Sequence, residues 1–314
     1  MSYRIRLPAA SGSVRLNIVE PNSTSVQRAL RRGGLAAYEP PTVATLLTLF
    51  EAQRPGFGFF DVGANMGLYA LLCAKLFEPG VVTGFEPTPS TASVARKIVK
   101  ANRLDIDVVA AALSDENGQA TLHLSPVSDS SNSLVEGFRD TTESVVVPTQ
   151  RLDDHVRRTG QHPDVMKIDV ETHEPAVLAG AAETIRAHRP YIVIEVLRRR
   201  GRDHGVEITE AMEGYGYAYY QLADEPTWAR QDEVRGAGTL DRDWLLAPTP
   251  LDDDFPARCQ EWRRRLAECG PETNSRVPIH RSVLAAYRRG GPGEVWAAAR
   301  RYADSIRRDR AAGS

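Results

Sequence analysis

The chain has 314 residues, 42% hydrophobic and 25% charged, with a formal net charge of −2. Such a composition buries a sizeable core, and the near-neutral balance gives no global field for nucleic acid or an anionic membrane. Three cysteines (Cys73, Cys259, Cys269) form no paired or His-flanked cluster, which argues against a zinc site or a disulfide framework. With no apolar leader in MSYRIRLPAA and no run near the ~20 apolar residues of a membrane span, the expectation is a cytoplasmic protein without a membrane span.

In chain order, residues 1–55 read as a lead-in, with a strand at 14–19 and a helix at 41–53 begun by Pro41. A strand–helix alternation follows over 56–250. Strands fall at 57–62, 81–86 and 106–113, and helices at 68–77 and 88–103. The apolar runs are continuous rather than alternating, as in strands covered on both faces of a parallel sheet, and the repetition predicts a doubly wound α/β fold. Short strands at 120–125 and 144–149 flank a polar stretch, 126–143, read as a loop or lid over the site. The alternation resumes with a helix over 150–159 stopped by Gly160, a strand at 165–170, a helix at 174–188 and a strand at 191–196. Segments 216–222 and 243–247 predict a closing hairpin. Residues 251–314 form an Arg-rich helical extension whose interleaved acids suggest solvated faces rather than an RNA footprint.

The segment FFDVGANMGLYA (59–70) carries the first functional signal. Its glycines, Gly63 and Gly67, let a backbone approach a ligand where strand gives way to helix. The pattern is not G-x-G-x-x-G, since Asn65 and Leu68 occupy the later positions, so a dinucleotide fingerprint is not met. Asp61 at the start of the turn suits a cationic ligand, and Glu86 ends the next strand where an acid accepts ribose hydroxyls. S-adenosylmethionine fits this logic. KIDVETHE (167–174) supplies catalytic candidates at a later strand end, Lys167, Asp169, Glu171 and His173. Asp169 and Glu195 end neighbouring strands and would be the ligands if a magnesium ion were bound; two acids make an incomplete site. The basic run LRRRGRDHG (197–205) beside the predicted site is read either as a solvated loop or as a holder for an anionic acceptor.

Several motifs in order resemble the FkbM family of S-adenosylmethionine-dependent methyltransferases: YEPPT (38–42), the 59–76 segment, GFEPTPS (84–90), AALSDENGQATLHL (111–124), VPTQRLDDH (147–155), DVMKIDVETHEPAVLAGA (164–181) and RPYIVIEV (189–196). The resemblance implies a class I methyltransferase sheet, Rossmann-like, with a reversed last strand. It places Asp61, Gly63, Asn65, Gly67 and Glu86 in the cofactor site and Ser114 or Asp115 near the adenine. One departure stands out. The family usually has Gly after the Glu of its KIDVEG segment, and here Thr172 occupies that place. The function implied is O-methylation of a hydroxylated small molecule: a sugar, a glycan or glycolipid precursor, or a polyketide-type natural product. The alternatives are an N-, peptide or nucleic-acid methyltransferase, a non-catalytic scaffold acting through 251–314, and, more remotely, a dehydrogenase.

Overall fold

The computed structural model describes residues 2–8, 14–125, 132–135, 143–199, 202–238 and 241–269. Two antiparallel strands open the chain, β1 (Ser2–Leu7) and β2 (Val14–Val19). Helix α1 (Ser25–Gly33) follows, with Thr24 and Gln27 forming a reciprocal capping box that satisfies two amides left open at its N-terminus. Strand β1 and helix α1 extend the sequence reading, which found only the 14–19 strand and the next helix. That helix, α2 (Pro40–Ala52), has prolines in its first turn and is buried from Thr42 to Phe50.

The central elements then alternate: β3 (Gly58–Val62), α3 (Leu68–Leu76), β4 (Val81–Phe85), α4 (Pro89–Asn102) and β5 (Asp107–Val109). A side sheet interrupts the alternation, built from β6 (Ala112–Leu113), β7 (Gly118–Leu124) and β8 (Glu143–Gln150). After α5 (Leu152–Thr159) come β9 (Val165–Ile168), α6 (Glu174–Gly180), α7 (Ala182–His188) and β10 (Tyr191–Glu195). A small ribbon, β11 (Arg198–Arg199) with β12 (Arg202–Asp203), leads into α8 (His204–Ala211). Strands β13 (Ala218–Leu222) and β14 (Asp243–Ala247) and helix α9 (Phe255–Ala267) complete the described chain.

The main sheet has seven strands in the order β13-β14-β10-β9-β3-β4-β5. Strands β5, β4, β3, β9 and β10 run parallel, and β14 pairs antiparallel with both β10 and β13. This is a doubly wound sheet with a reversed last strand, the arrangement the sequence resemblance implies. Strand residues alternate between two apolar layers. Phe59, Val165, Val193 and Leu245 meet α2, α3 and α9 on one face, while Phe60, Met166, Ile194 and Leu246 meet α6, α7 and α8 on the other. Burial on both faces is why β3 and β9 lack polar alternation.

Two local readings need correction. The strand expected over 106–113 is two: β5 stays in the main sheet, and β6 peels away to pair with β8. The helix expected over 174–188 breaks at Ala181, next to Gly180, where a Cβ would lie 1.9 Å from the Ser114 carbonyl oxygen. Tertiary contact there overrides good helix formers. In the described part of the basic 197–205 run, Arg198 pairs with Asp203 and Arg202 with Glu207. Residues 126–131 and 136–142 of the expected lid, and the helices expected within 282–309, lie outside the described residues. The chain divides into two units, Met1–Glu272 and Thr273–Ser314, and α9 packs along α2 in the first. No helix among the described residues is long and apolar enough to cross a membrane. The three cysteines are buried free thiols.

Candidate active site

The parallel strands of the main sheet end on one side, and a cleft of about 880 Å³, part of it open to solvent, lies there. Ligands of open α/β sheets bind at such carboxyl ends. The turn after β3 is drawn toward β4: the Gly63 and Ala64 amides both donate to the Phe85 carbonyl, at 2.9 and 3.0 Å. Gly63 (φ +78°), Asn65 (+49°) and Gly67 (+81°) are left-handed, a conformation that favours glycine. At Gly63 space matters as much as angle, because a Cβ would sit 1.8 Å from the Asp169 carbonyl oxygen.

The acids of the turn are tied to backbone. Asp61 Oδ2 accepts from the Ala70 amide at 3.1 Å, which caps the first turn of α3. Burial pushes the Asp61 carboxyl up to about 7, against that hydrogen bond and the nearby Lys167 ammonium. Glu86 accepts from the Asn65 amide at 2.9 Å and the Thr88 amide at 2.8 Å. Its carboxylate thereby joins the glycine turn to the start of α4. Asp61, Gly63, Asn65, Glu86, Lys167, Asp169, Glu171 and His173 all line the cleft. Gly67 shapes its turn from just behind.

Ser114 and Asp115 follow β6 and do not themselves line the cleft, which Ser114 reaches only through His173. Ser114 Oγ donates to Asp115 Oδ1 at 2.9 Å and lies 3.0 Å from His173 Nε2. His173 therefore leans toward the β6 end, and burial, outweighing Asp115, holds its pKa below the usual imidazole value. Ser133 Oγ donates to the Glu171 carbonyl at 2.7 Å, and Asn132 Nδ2 donates to Thr88 Oγ1 at 3.3 Å. Residues 132–135, the described part of the polar stretch, are thus fastened beside the cleft.

Past Asp169 the site becomes a buried charge cluster. Lys167, 1% exposed, lies 3.4 Å from Asp169 Oδ2 and 3.5 Å from Asp243 Oδ1. Burial alone would pull its pKa down, but Asp169, Asp243, Glu39 and Glu195 together raise it, so the ammonium keeps its proton. Glu195 Oε1 is held by Arg242 at 3.1 Å, and burial drives its pKa well above the usual carboxylate value. Asp169 and Glu195, the pair considered for magnesium, each already face a protein cation. No cluster of three metal-ligating side chains occurs among the described residues. The sequence reading missed Val26, Tyr38 and Tyr69 in the cleft wall, and Glu39, Asp243 and Arg242 around Lys167.

The KIDVETHE turn carries backbone strain. Glu171 has φ +54° and Thr172 φ +80°, and a β-branched residue is an outlier there. Glu174 Oε1 holds the turn through the Val170 and Thr172 amides, at 3.0 and 3.3 Å, while Thr172 Oγ1 is buried with no hydrogen-bond partner. The departure from glycine at this position is thus a strained residue rather than a reshaped turn. Thr172→Gly should stabilise the protein by about 1 kcal/mol, as relief of strain and of a buried hydroxyl outweighs the freer unfolded chain; urea denaturation measures it.

The cradle fits S-adenosylmethionine on structural grounds. Glycines open the backbone where a side chain would collide, and acids at Asp61, Glu86 and Asp169 complement a sulfonium and an ammonium.

Comparison with known proteins places the chain in a family. Residues 61–219 match the Methyltransferase FkbM domain. The chain is 29% identical over 203 residues to 31-O-demethyl-FK506 methyltransferase FkbM of Streptomyces tacrolimicus, covering 52% of this chain and 74% of that protein. It is 29% identical over 154 residues to the hexuronic acid methyltransferase AglP of Haloferax volcanii, covering 48% of this chain and 59% of that one. Among solved structures, an FkbM methyltransferase from Methylobacillus flagellatus matches 65% of this chain and 47% of its own, with 15% identity and a TM-score of 0.40.

Proposed function

Given that the chain belongs to the FkbM methyltransferase family and so uses S-adenosylmethionine, we propose that it methylates a hydroxyl oxygen of a small molecule. The candidates are a sugar, a glycan or glycolipid precursor, or a polyketide-type natural product. The observation that carries this reading is the acid-lined cleft, which runs from Glu86 past the glycine turn to Asp169 and the Lys167 cluster. The names of the two relatives, one acting on demethyl-FK506 and one on a hexuronic acid, favour such acceptors.

In this reading Glu86 receives the ribose hydroxyls, while Gly63, Asn65 and Gly67 let the methionine portion lie against backbone. Asp61 adds negative charge beneath it. Ser114, Asp115 and His173 form the adenine side, since the Ser114 contact holds His173 there. Bound S-adenosylmethionine supplies an already activated methyl group, so the protein contributes chiefly position and a route for the acceptor proton. Asp169, held by Lys167, faces the reacting end. Lys167 and Arg242 take the place a divalent ion would need, so transfer proceeds without magnesium, and chelator treatment leaves it unchanged.

Calorimetric titration with S-adenosylhomocysteine, with NAD as control, tests the site. Micromolar binding of S-adenosylhomocysteine alone is expected. Glu86→Ala should weaken it at least about tenfold, because a buried carboxylate acceptor contributes roughly 1.5–3 kcal/mol. Equal binding by the variant would remove Glu86 from the cofactor site.

A further inference from the structure

We propose that the proton of the acceptor hydroxyl leaves through the Tyr69 phenol to the Glu39 carboxylate, an inference that rests on the O-methylation reading above. Tyr69 is two residues past Gly67, in the first turn of α3. That puts it beside the reacting end of the cofactor turn, and it lines the cleft with Tyr38 and Leu68. Its hydroxyl donates to Glu39 Oε2, which leaves the phenol oxygen able to accept a hydrogen bond from the cleft.

Glu39 lies in the YEPPT stretch, ahead of the matched residues 61–219, and the backbone holds it in place. Its φ is +42°, a left-handed conformation that costs a non-glycine residue about 1 kcal/mol or more. It persists because α2 begins at the next residue with Pro40 and Pro41 and is buried along its length. The strained corner turns the carboxylate onto the phenol. Burial, with the charges of Asp243 and Asp169, brings the Glu39 carboxyl up to about 7, near the working range of a proton acceptor. Burial and the charge of Glu39 hold the Tyr69 phenol well above its ordinary value, so it does not ionise on its own and takes a proton only as it passes its own to Glu39.

Several other groups of the cleft are engaged elsewhere, and Asp169, which faces the reacting end, is paired with Lys167. Lys167 stays protonated. Asp61 is used by the Ala70 amide, Glu86 by the Asn65 and Thr88 amides, and Glu174 by the turn below it. His173 faces Ser114.

The step balances without a further reactant. Tyr69 takes the acceptor's proton as it passes its own to Glu39. The acceptor oxygen forms its bond to the methyl carbon while the carbon–sulfur bond breaks, its electron pair going to sulfur. The products are the methyl ether, S-adenosylhomocysteine and protonated Glu39, which returns its proton to water.

Tyr69→Phe, Glu39→Gln and Glu39→Asp test the relay beside the natural protein. Two measurements apply to each: titration with S-adenosylhomocysteine, and transfer from methyl-tritiated S-adenosylmethionine to methyl glycosides and to a small-molecule extract of the producing cells. Tyr69→Phe and Glu39→Gln should keep cofactor affinity within about threefold and acceptor KM nearly unchanged, yet lose at least about a hundredfold in kcat. The natural enzyme's kcat should fall below pH about 7, as Glu39 gains a proton. Glu39→Gln loses that acid limb, and Glu39→Asp restores part of the rate. Full kcat with an unchanged pH profile in Tyr69→Phe overturns the relay while leaving O-methylation intact. Intact cofactor binding with no labelled ether from the natural protein overturns both readings.

Discussion

Alanine in place of Gly63 yields a protein about 3–5 kcal/mol less stable that no longer binds S-adenosylhomocysteine. The two causes add at one atom. The left-handed φ of +78° costs an alanine roughly 1–2 kcal/mol, and the new Cβ would stand 1.8 Å from the Asp169 carbonyl oxygen. A backbone oxygen has no rotamer by which to retreat, so β3 and β9 must separate at their carboxyl ends. Those ends are held by the Asp169 amide donating to the Val62 carbonyl at 3.0 Å. Urea denaturation and calorimetry read the two effects separately. Gly67→Ala is the control, because a Cβ there meets nothing closer than 4.0 Å and only the φ penalty remains. A Gly63→Ala protein of natural stability would mean that the close approach to Asp169 is not fixed.

The second large effect is at Lys167. Lys167→Met keeps the apolar stem and removes the ammonium that lies 3.4 Å from Asp169 and 3.5 Å from Asp243. Leaving buried carboxylates without a partner costs about 3–5 kcal/mol. The loss depends on pH, and its sign follows from the carboxyls. The ammonium works against the burial that raises the Glu39 carboxyl, so without it Glu39 holds its proton in the folded state at pH values where the unfolded chain has released it. Stability from that proton is fully present below the ordinary carboxylate range and is lost as pH rises through the raised folded value. The deficit of Lys167→Met against the natural protein is therefore small near pH 5 and largest at pH 8. Adding Asp243→Asn should recover part of it at pH 8. A deficit that is equal at both pH values would show that lost packing, not lost charge, is responsible.

These two sites differ in how far the sequence disclosed them. Asp61, Gly63 and Glu86 were legible because backbone geometry ties each to a fixed place after a strand, and local spacing carries that information. Thr172 was legible as a departure, and its φ of +80° explains why glycine would stand there. Lys167 was legible as a residue but not as a centre, since Glu39 and Asp243 reach it from segments far apart in the chain. Tyr69 read as one more apolar letter of a helix, and only the fold brings its hydroxyl to Glu39. The same limit accounts for β5 and β6. An unbroken apolar run, VVAAAL, gives no turn residue at the point where the chain changes sheets. A missed signal did exist at α8, where Asp203 precedes the helix and its side chain accepts from the Gly205 amide, as capping residues do.

The burial of α2 has a consequence for how the molecule is made. Its Thr45 lies against Cys259, and Glu51 accepts from Trp262 Nε1, partners separated by 214 and 211 positions in the chain. A nascent chain therefore carries an uncovered apolar helix through the synthesis of the entire sheet, and the helix is sheathed only when α9 has left the ribosome. Contacts of such long range slow folding and prolong the exposure of sticky surface. Chaperone demand during synthesis should be set by the interval between these two helices, and supplying the α9 segment late, or as a separate peptide, should leave α2 as the surface on which the incomplete chains aggregate.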